Sequence, residues 1–188
     1  MKMKSVLISI KPKWCELIAN GKKTVEVRKT RPKCAVPFKC YIYCTKDKGI
    51  SFWTGKRYAY ADDRSHNLFD VCGNGKVIGE FVCKNMTCMQ ADIDSQGEKH
   101  LYNTAFIENQ MCLTDEELFN YIYDGKRNIG WAWHISDLVI YDKPKELSDF
   151  SNGSSRLSFS KTKDGFPWKY SGITRPPQSW CYVEEVEE

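Results

Sequence analysis

The stretch Gly21-Lys22-Lys23-Thr24-Val25-Glu26-Val27-Arg28 carries the chain out of a helix and into a strand within eight residues. Its second half alternates with a period of two, so Val25 and Val27 point one way and Thr24, Glu26 and Arg28 the other. That pattern predicts a half-buried strand with a polar face turned to solvent. Immediately upstream, Pro12 suits the first turn of a helix, and Trp14, Leu17 and Ile18 share one face at helical spacing. Gly21 supplies the stop, because a helix commonly ends on a residue with positive φ. Before the helix, Ser5-Val6-Leu7-Ile8-Ser9-Ile10 is short and rich in branched apolar residues, as in a buried strand.

Further strands are expected at Phe38 to Cys44, with Tyr41 and Tyr43 on one face, and at Lys76 to Cys83, entered through the turn Gly73-Asn74-Gly75. Two more are expected at Ala132 to Tyr141 and at Ser179 to Val183. A second helix is signalled by Thr114 with Glu117 as a capping box, by the stripe Leu118, Phe119 and Ile122, and by Gly125 as terminator. Six strands against two short helices predict an α+β, mostly-β fold built on a mixed or antiparallel barrel, not an alternating βαβ fold. At 188 residues the chain is expected to form one domain, residues 1–188. Insertions are expected at about residues 46–72 and 148–177, where period is lost and Gly, Ser and Pro collect. In the first, Trp53, Lys56, Arg57, Tyr58 and Tyr60 interleave charge with aromatic rings. Any single ring there, Trp53 and Tyr58 included, is expected to cover core rather than to stack a base. In the second, Phe159, Phe166, Trp168 and Tyr170 are expected to pack onto the body.

Hydrophobic residues at 41% and charged residues at 28% exclude a disordered chain. No apolar run reaches the roughly 20 residues of a bilayer span, and the apolar stretch after Met1-Lys2-Met3-Lys4 is too short for a secretion signal, so the expected compartment is the cytoplasm. The nine cysteines are an odd number and contain no CxxC pair. They are expected to be mostly reduced. Cys34, Cys40 and Cys44 come nearest to a metal cluster, yet His66, His100 and His134 are scattered, and neither metal nor cofactor is expected. The net charge of +4 is uneven: residues 1–64 carry +11 and the remainder −7. An anionic partner is therefore expected on the N-terminal side.

With Gly21, Lys23, Glu26 and Arg28 the quoted stretch fits the GxKxxExR signature of the ASCH family, a branch of the PUA-like superfamily, and the chain is identified as a member on that motif and its flanks. Leu7-Ile8-Ser9-Ile10-Lys11-Pro12 before it resembles the family's opening, and Lys76-Val77-Ile78-Gly79-Glu80-Phe81 its central strand. Trp133-His134-Ile135, Tyr141-Asp142-Lys143-Pro144 and Pro177-Gln178-Ser179-Trp180 resemble a bacterial and phage subgroup described as predicted transcriptional regulators. The likeness covers about residues 5–45, 76–83, 115–147 and 176–183. It implies a PUA-like barrel that binds RNA, another nucleic acid or a nucleoside at a basic cleft. Lys11, Lys13, Gly21, Lys23, Glu26, Arg28, Lys29, Arg31 and Gln178 are the expected binding residues, with Lys33 among the flanking cations.

The chemistry suits such a cleft. Arginine offers a flat fork to phosphate or guanine, lysine a mobile point charge, and glutamate an acceptor for an exocyclic amine. Another reading of the same residues is that Glu26 and Arg28 pair and brace the strand. The resemblance also implies an alternative activity, hydrolysis of an N4-acylated cytidine nucleoside or of RNA. In the amide hydrolases a lysine, a threonine nucleophile and a glutamate form the active set. Lys23 matches the lysine, but Glu26 occupies the threonine position, and Thr24 lies two residues too early. Lys23 and Glu26 would then be the catalytic pair, with Glu80, Glu116 and Glu117 as candidates for the third residue. Duplex DNA is the less expected partner, since the two helices lie about 95 residues apart and form no helix-turn-helix. Trp14, Trp131 and Trp133 are expected in the core rather than at a site, and His134, alone within an apolar strand, is expected to be a satisfied core residue. Protein partners and oligomeric state are not readable from these residues.

Overall fold

The computed structural model describes residues 5–53, 72–152 and 172–185. Among these the fold is mostly β, a mixed sheet with a few short helices, and none of its helices is long and apolar enough to cross a membrane. The chain divides into two compact units, Met1–Glu16 with Lys39–Glu80 and Val139–Glu188, and Leu17–Phe38 with Phe81–Leu138.

In the first unit β1 (Ser5–Ile10) is central. It pairs in parallel with β3 (Phe38–Cys44), Leu7 beside Tyr41 and Ser9 beside Tyr43, and antiparallel with β8 (Trp180–Glu185), Ser5 beside Val183. The outer strand β7 (Phe150–Ser151) joins β8, and β4 (Val77–Ile93) starts next to β3. Leu7, Tyr41, Tyr43, Val77, Phe150, Ile173 and Val183 form its core cluster. Gly79 is obligatory here for space, because a Cβ at that position would stand 2.3 Å from the Val139 carbonyl oxygen. Beside it, Glu80 accepts from Lys39 Nζ at 2.7 Å and from Tyr141 Oη at 2.5 Å. Burial alone would push the Glu80 carboxyl up, but these two hydrogen bonds and the charges of Lys39 and Lys145 hold it below the usual range.

The second unit holds the quoted junction. Helix α1 (Pro12–Ala19) ends as it enters this unit, and β2 (Val25–Arg28) pairs antiparallel with β6 (Ile129–Lys145). Strand β6 neighbours β4, whose far half pairs with β5 (Lys99–Tyr102). A four-residue helix α2 (Glu108–Met111) precedes α3 (Asp115–Ile122). The expected capping box is formed: Glu117 N donates to Thr114 Oγ1 at 3.2 Å, and Thr114 N to Glu117 Oε2 at 2.9 Å. Leu118, Phe119 and Ile122 pack against Val25, Val27, Met89, Ala91, Ile107 and Met111.

Several expectations are corrected. The strand expected at Lys76 to Cys83 continues ten residues further, and that at Ala132 to Tyr141 extends at both ends, giving two strands of 17 residues. Lys84, Asn85, Cys88 and Gln90 face solvent, and the apolar pattern broken at Lys84 and Asn85 resumes only with the buried Met89 and Ala91. Strands β5 and β7 and helix α2 were not expected. Trp53 is 47% exposed; Phe52, 1% exposed, takes the buried place. Lys56, Arg57, Tyr58, Tyr60, Phe159, Phe166, Trp168 and Tyr170, and most of both expected insertions, lie outside the described residues.

Candidate functional site

The junction is built by short local bonds. Gly21 N donates to Ile18 O at 3.0 Å with φ at +74°, so the residue after the helix adopts the left-handed backbone glycine tolerates. Lys23 N donates to Leu17 O at 2.8 Å, which returns the chain against the helix end and aims the Lys23 side chain inward. In the register that follows, Glu26 stands opposite Trp133 and Arg28 opposite Trp131. Directly opposed residues share a sheet face, so a fully buried tryptophan lies alongside the carboxylate.

Lys23, Glu26 and Arg28 are brought together. Lys23 Nζ lies 3.5 Å from Glu26 Oε2, and Arg28 Nη2 lies 3.1 Å from Glu26 Oε1. Their side chains are 3%, 6% and 12% exposed, which corrects the expectation of a solvent-turned polar face. The physical reason lies in the cover, made by Trp133 on the sheet and by the segment that contains α2. Lys23 Nζ donates to Met111 O at 2.6 Å, Thr24 N donates to Gln110 O at 3.1 Å, and Thr24 Oγ1 lies 3.2 Å from Gln110 Oε1. The braced reading of Glu26 with Arg28 therefore describes their geometry. Burial pulls the Lys23 ammonium below the usual lysine range, against the opposing charge of Glu26. Glu26 Oε2 accepts no well-formed hydrogen bond among the described residues.

The other expected binding residues are distributed over both units. Lys11, Lys13 and Gln178 are exposed in the first, with Lys13 Nζ 4.5 Å from the Trp14 ring. Gly21, Lys29 and Arg31 are in the second, where Arg31 sits 4.5 Å over the Trp131 ring and Lys29 Nζ 5.5 Å over Tyr121, 3.5 Å from Asp124. Trp131, expected in the core, is half-buried beneath Arg31, and Tyr121 gave no sequence signal; only their spacing to the basic flank, invisible before folding, could have marked them as functional candidates. Of the loose carboxylate candidates, Glu80 is held by Lys39 and Tyr141 in the first unit, and Glu117 is consumed by the helix cap. Glu116 lines a recess of about 410 Å³ with Lys99, His100, Thr104, Glu108 and Asp115, a mixed-charge concavity that gave no sequence signal. His134 Nε2 lies 2.9 Å from Thr87 Oγ1, and partial burial lowers its pKa. Among the described residues no three His, Cys, Asp or Glu side chains converge as metal ligands.

The ASCH domain profile matches residues 8–144 of this chain. Several solved structures resemble it. The crystal structure of ASCH from Zymomonas mobilis aligns with a TM-score of 0.53 at 17% identity, over 98% of this chain and 99% of that one. A single-substitution variant of the same bacterial protein aligns at 0.54 and 16%, over 96% of this chain and 91% of that one. At such identity the likeness shows a shared fold. No curated protein sequence matches this chain.

Proposed function

Because this chain belongs to the ASCH domain family, and so to a PUA-like fold consistent with RNA binding or a related activity, we propose that it binds single-stranded RNA through the basic and aromatic surface beside the motif. The observation that carries this reading is the pairing of cations with rings in one unit: Arg31 over Trp131 and Lys29 over Tyr121. A guanidinium resting on a ring offers its outer face to an unpaired base, and both cations reach phosphate. Lys23, Glu26 and Arg28 serve as the buried support that fixes β2 and hence the direction in which Lys29 and Arg31 leave it. Regulation through bound RNA is the role this reading gives the protein.

An anisotropy titration with mixed single-stranded RNA oligomers tests it. For about four neutralised phosphates the logarithmic salt slope is about −2.8, a loss of about fiftyfold between 50 and 200 mM salt. Arg31→Ala and Lys29→Ala should each flatten that slope by about 0.7. A flat salt response, or tighter binding of matched duplex DNA, would overturn the proposal.

A second reading, hydrolysis of an N4-acylated cytidine nucleoside, is supported by one feature: a lysine drawn toward its neutral form beside a carboxylate, the kind of pair that moves a proton. Glu26 would act as base toward water in place of the missing threonine. Micromolar protein incubated with N4-acetylcytidine should then release cytidine, and no turnover ends this reading.

A further inference from the structure

Two non-glycine residues of the second unit with left-handed backbone bracket a single segment. Asn103 has φ of 63° and Cys112 of 55°. Asparagine tolerates that conformation, whereas cysteine is rarely found in it. Between them lies α2, only four residues long; its internal bonds, from Ile107 N to Thr104 O and from Gln110 N and Met111 N to Ile107 O, keep its shape but do not tie it to the sheet. Asn103 Nδ2 donates to Cys88 O at 3.1 Å at one end, and the motif holds the other. Met111 O receives the Lys23 ammonium, Gln110 O receives Thr24 N, the Gln110 side chain meets Thr24 Oγ1, and Cys112 Sγ donates to Lys22 O at 3.4 Å. The buried side chains of Ile107 and Met111 add an apolar seat. At the crest, Phe106 is 95% exposed, and its carbonyl accepts from Gln110 Nε2 at 3.0 Å. A bare phenyl ring is thus coupled through one glutamine to the latch on Thr24.

We propose that Thr104–Cys112 is a hinged strap that pivots on Asn103 and Cys112 to uncover Lys23 and Glu26, and that an unpaired base stacking on Phe106 draws it open. Short segments whose ends absorb the φ/ψ change are the usual hinges of such covers. Beneath the strap, the under-satisfied Glu26 Oε2 and the Lys23 ammonium offer an acceptor beside a donor. The polar edge of a base can meet both at once. The strap itself stands on the free protein; the role of Phe106 rests on the RNA-binding reading.

Native-state amide hydrogen exchange separates the two. Lifting the strap removes the bond from Thr24 N to Gln110 O but leaves that from Ile135 N to Thr24 O intact. In the free protein the Thr24 amide should exchange at least about tenfold faster than the Ile135 amide, as a local opening does relative to global unfolding. Gln110→Ala should speed Thr24 about a further fivefold and leave Ile135 unchanged. Thr24 and Ile135 exchanging together, with no response to Gln110→Ala, would sink the strap. Saturating single-stranded RNA should accelerate Thr24 exchange in the wild-type chain and not in Phe106→Ala, a change at an exposed site that the fold tolerates. RNA that binds without this acceleration overturns the assignment to Phe106. Absence of RNA binding strikes the functional reading and with it that assignment, while the strap is still decided by the RNA-free exchange.

Discussion

Glu26→Ala is expected to lower folding stability by about 3–5 kcal/mol, the cost of leaving a buried charge without its partner. The carboxylate lies between Lys23 and Arg28, and its loss removes the opposite charge from beside both. Most of the effect belongs to Lys23, whose side chain is 3% exposed; Arg28, at 12%, recovers part of its hydration. The defect should also depend on pH with a definite sign. Burial already holds the Lys23 pKa below its ordinary 10.5, and removing Glu26 takes away the charge that opposed the shift. A lysine whose folded pKa lies below its unfolded one destabilises the fold at lower pH, and that penalty fades as pH rises through the folded value toward 10.5. Urea denaturation at pH 7 and again near pH 9.5 checks both points. A midpoint shift worth less than about 1 kcal/mol, or a defect that grows with pH, would mean that the charges are hydrated and not enclosed.

Trp133→Ala should cost a comparable amount, about 3–5 kcal/mol, for a different reason. The side chain is 0% exposed and meets Phe38 edge to face with ring centroids 5.5 Å apart. Truncation to alanine leaves a void the size of an indole, and the surrounding strands are too firmly paired to collapse into it. Trp133→Phe should retain much of the burial and lose markedly less. Because Trp133 also stands opposite Glu26, its removal should let water reach the carboxylate. Combining Trp133→Ala with Glu26→Ala should therefore cost less than the sum of the single changes, a coupling that a double-mutant cycle measures directly. Strict additivity would mean that the tryptophan does not shield the charge.

How much of this was legible depended on the range of the interaction. Strand β1, helix α1, the positive φ at Gly21 and the Thr114–Glu117 cap were readable because each is set by residues within about four positions of one another. The closeness of Lys23, Glu26 and Arg28 was readable for the same reason. Their burial was not. It depends on Glu26 meeting Trp133, a register between strands more than 100 residues apart, and on a strap whose helix is too short to leave a periodic trace. Trp133 was expected in the core and Glu26 on a solvent face, two readings that conflict once the strands pair in this register. The far end of β4 escaped notice because Lys84 and Asn85 break its apolar pattern before Met89 and Ala91 resume it, and within the expected part of β6 the exposed Asp137 has φ of 49°. Backbone pairing continues through them without help from side-chain hydropathy.

The parallel and antiparallel neighbours of β1 bear on how the chain is made. Ser5 aligns with Lys39 on one side and with Val183 on the other, so the fully apolar run Val6 to Ile8 has no complete set of partners until the chain has been made as far as Val183. On the ribosome that strand waits with an open edge, and such edges recruit other chains. Soluble yield should therefore respond more to translation speed and chaperone supply than the stability of the finished protein would suggest.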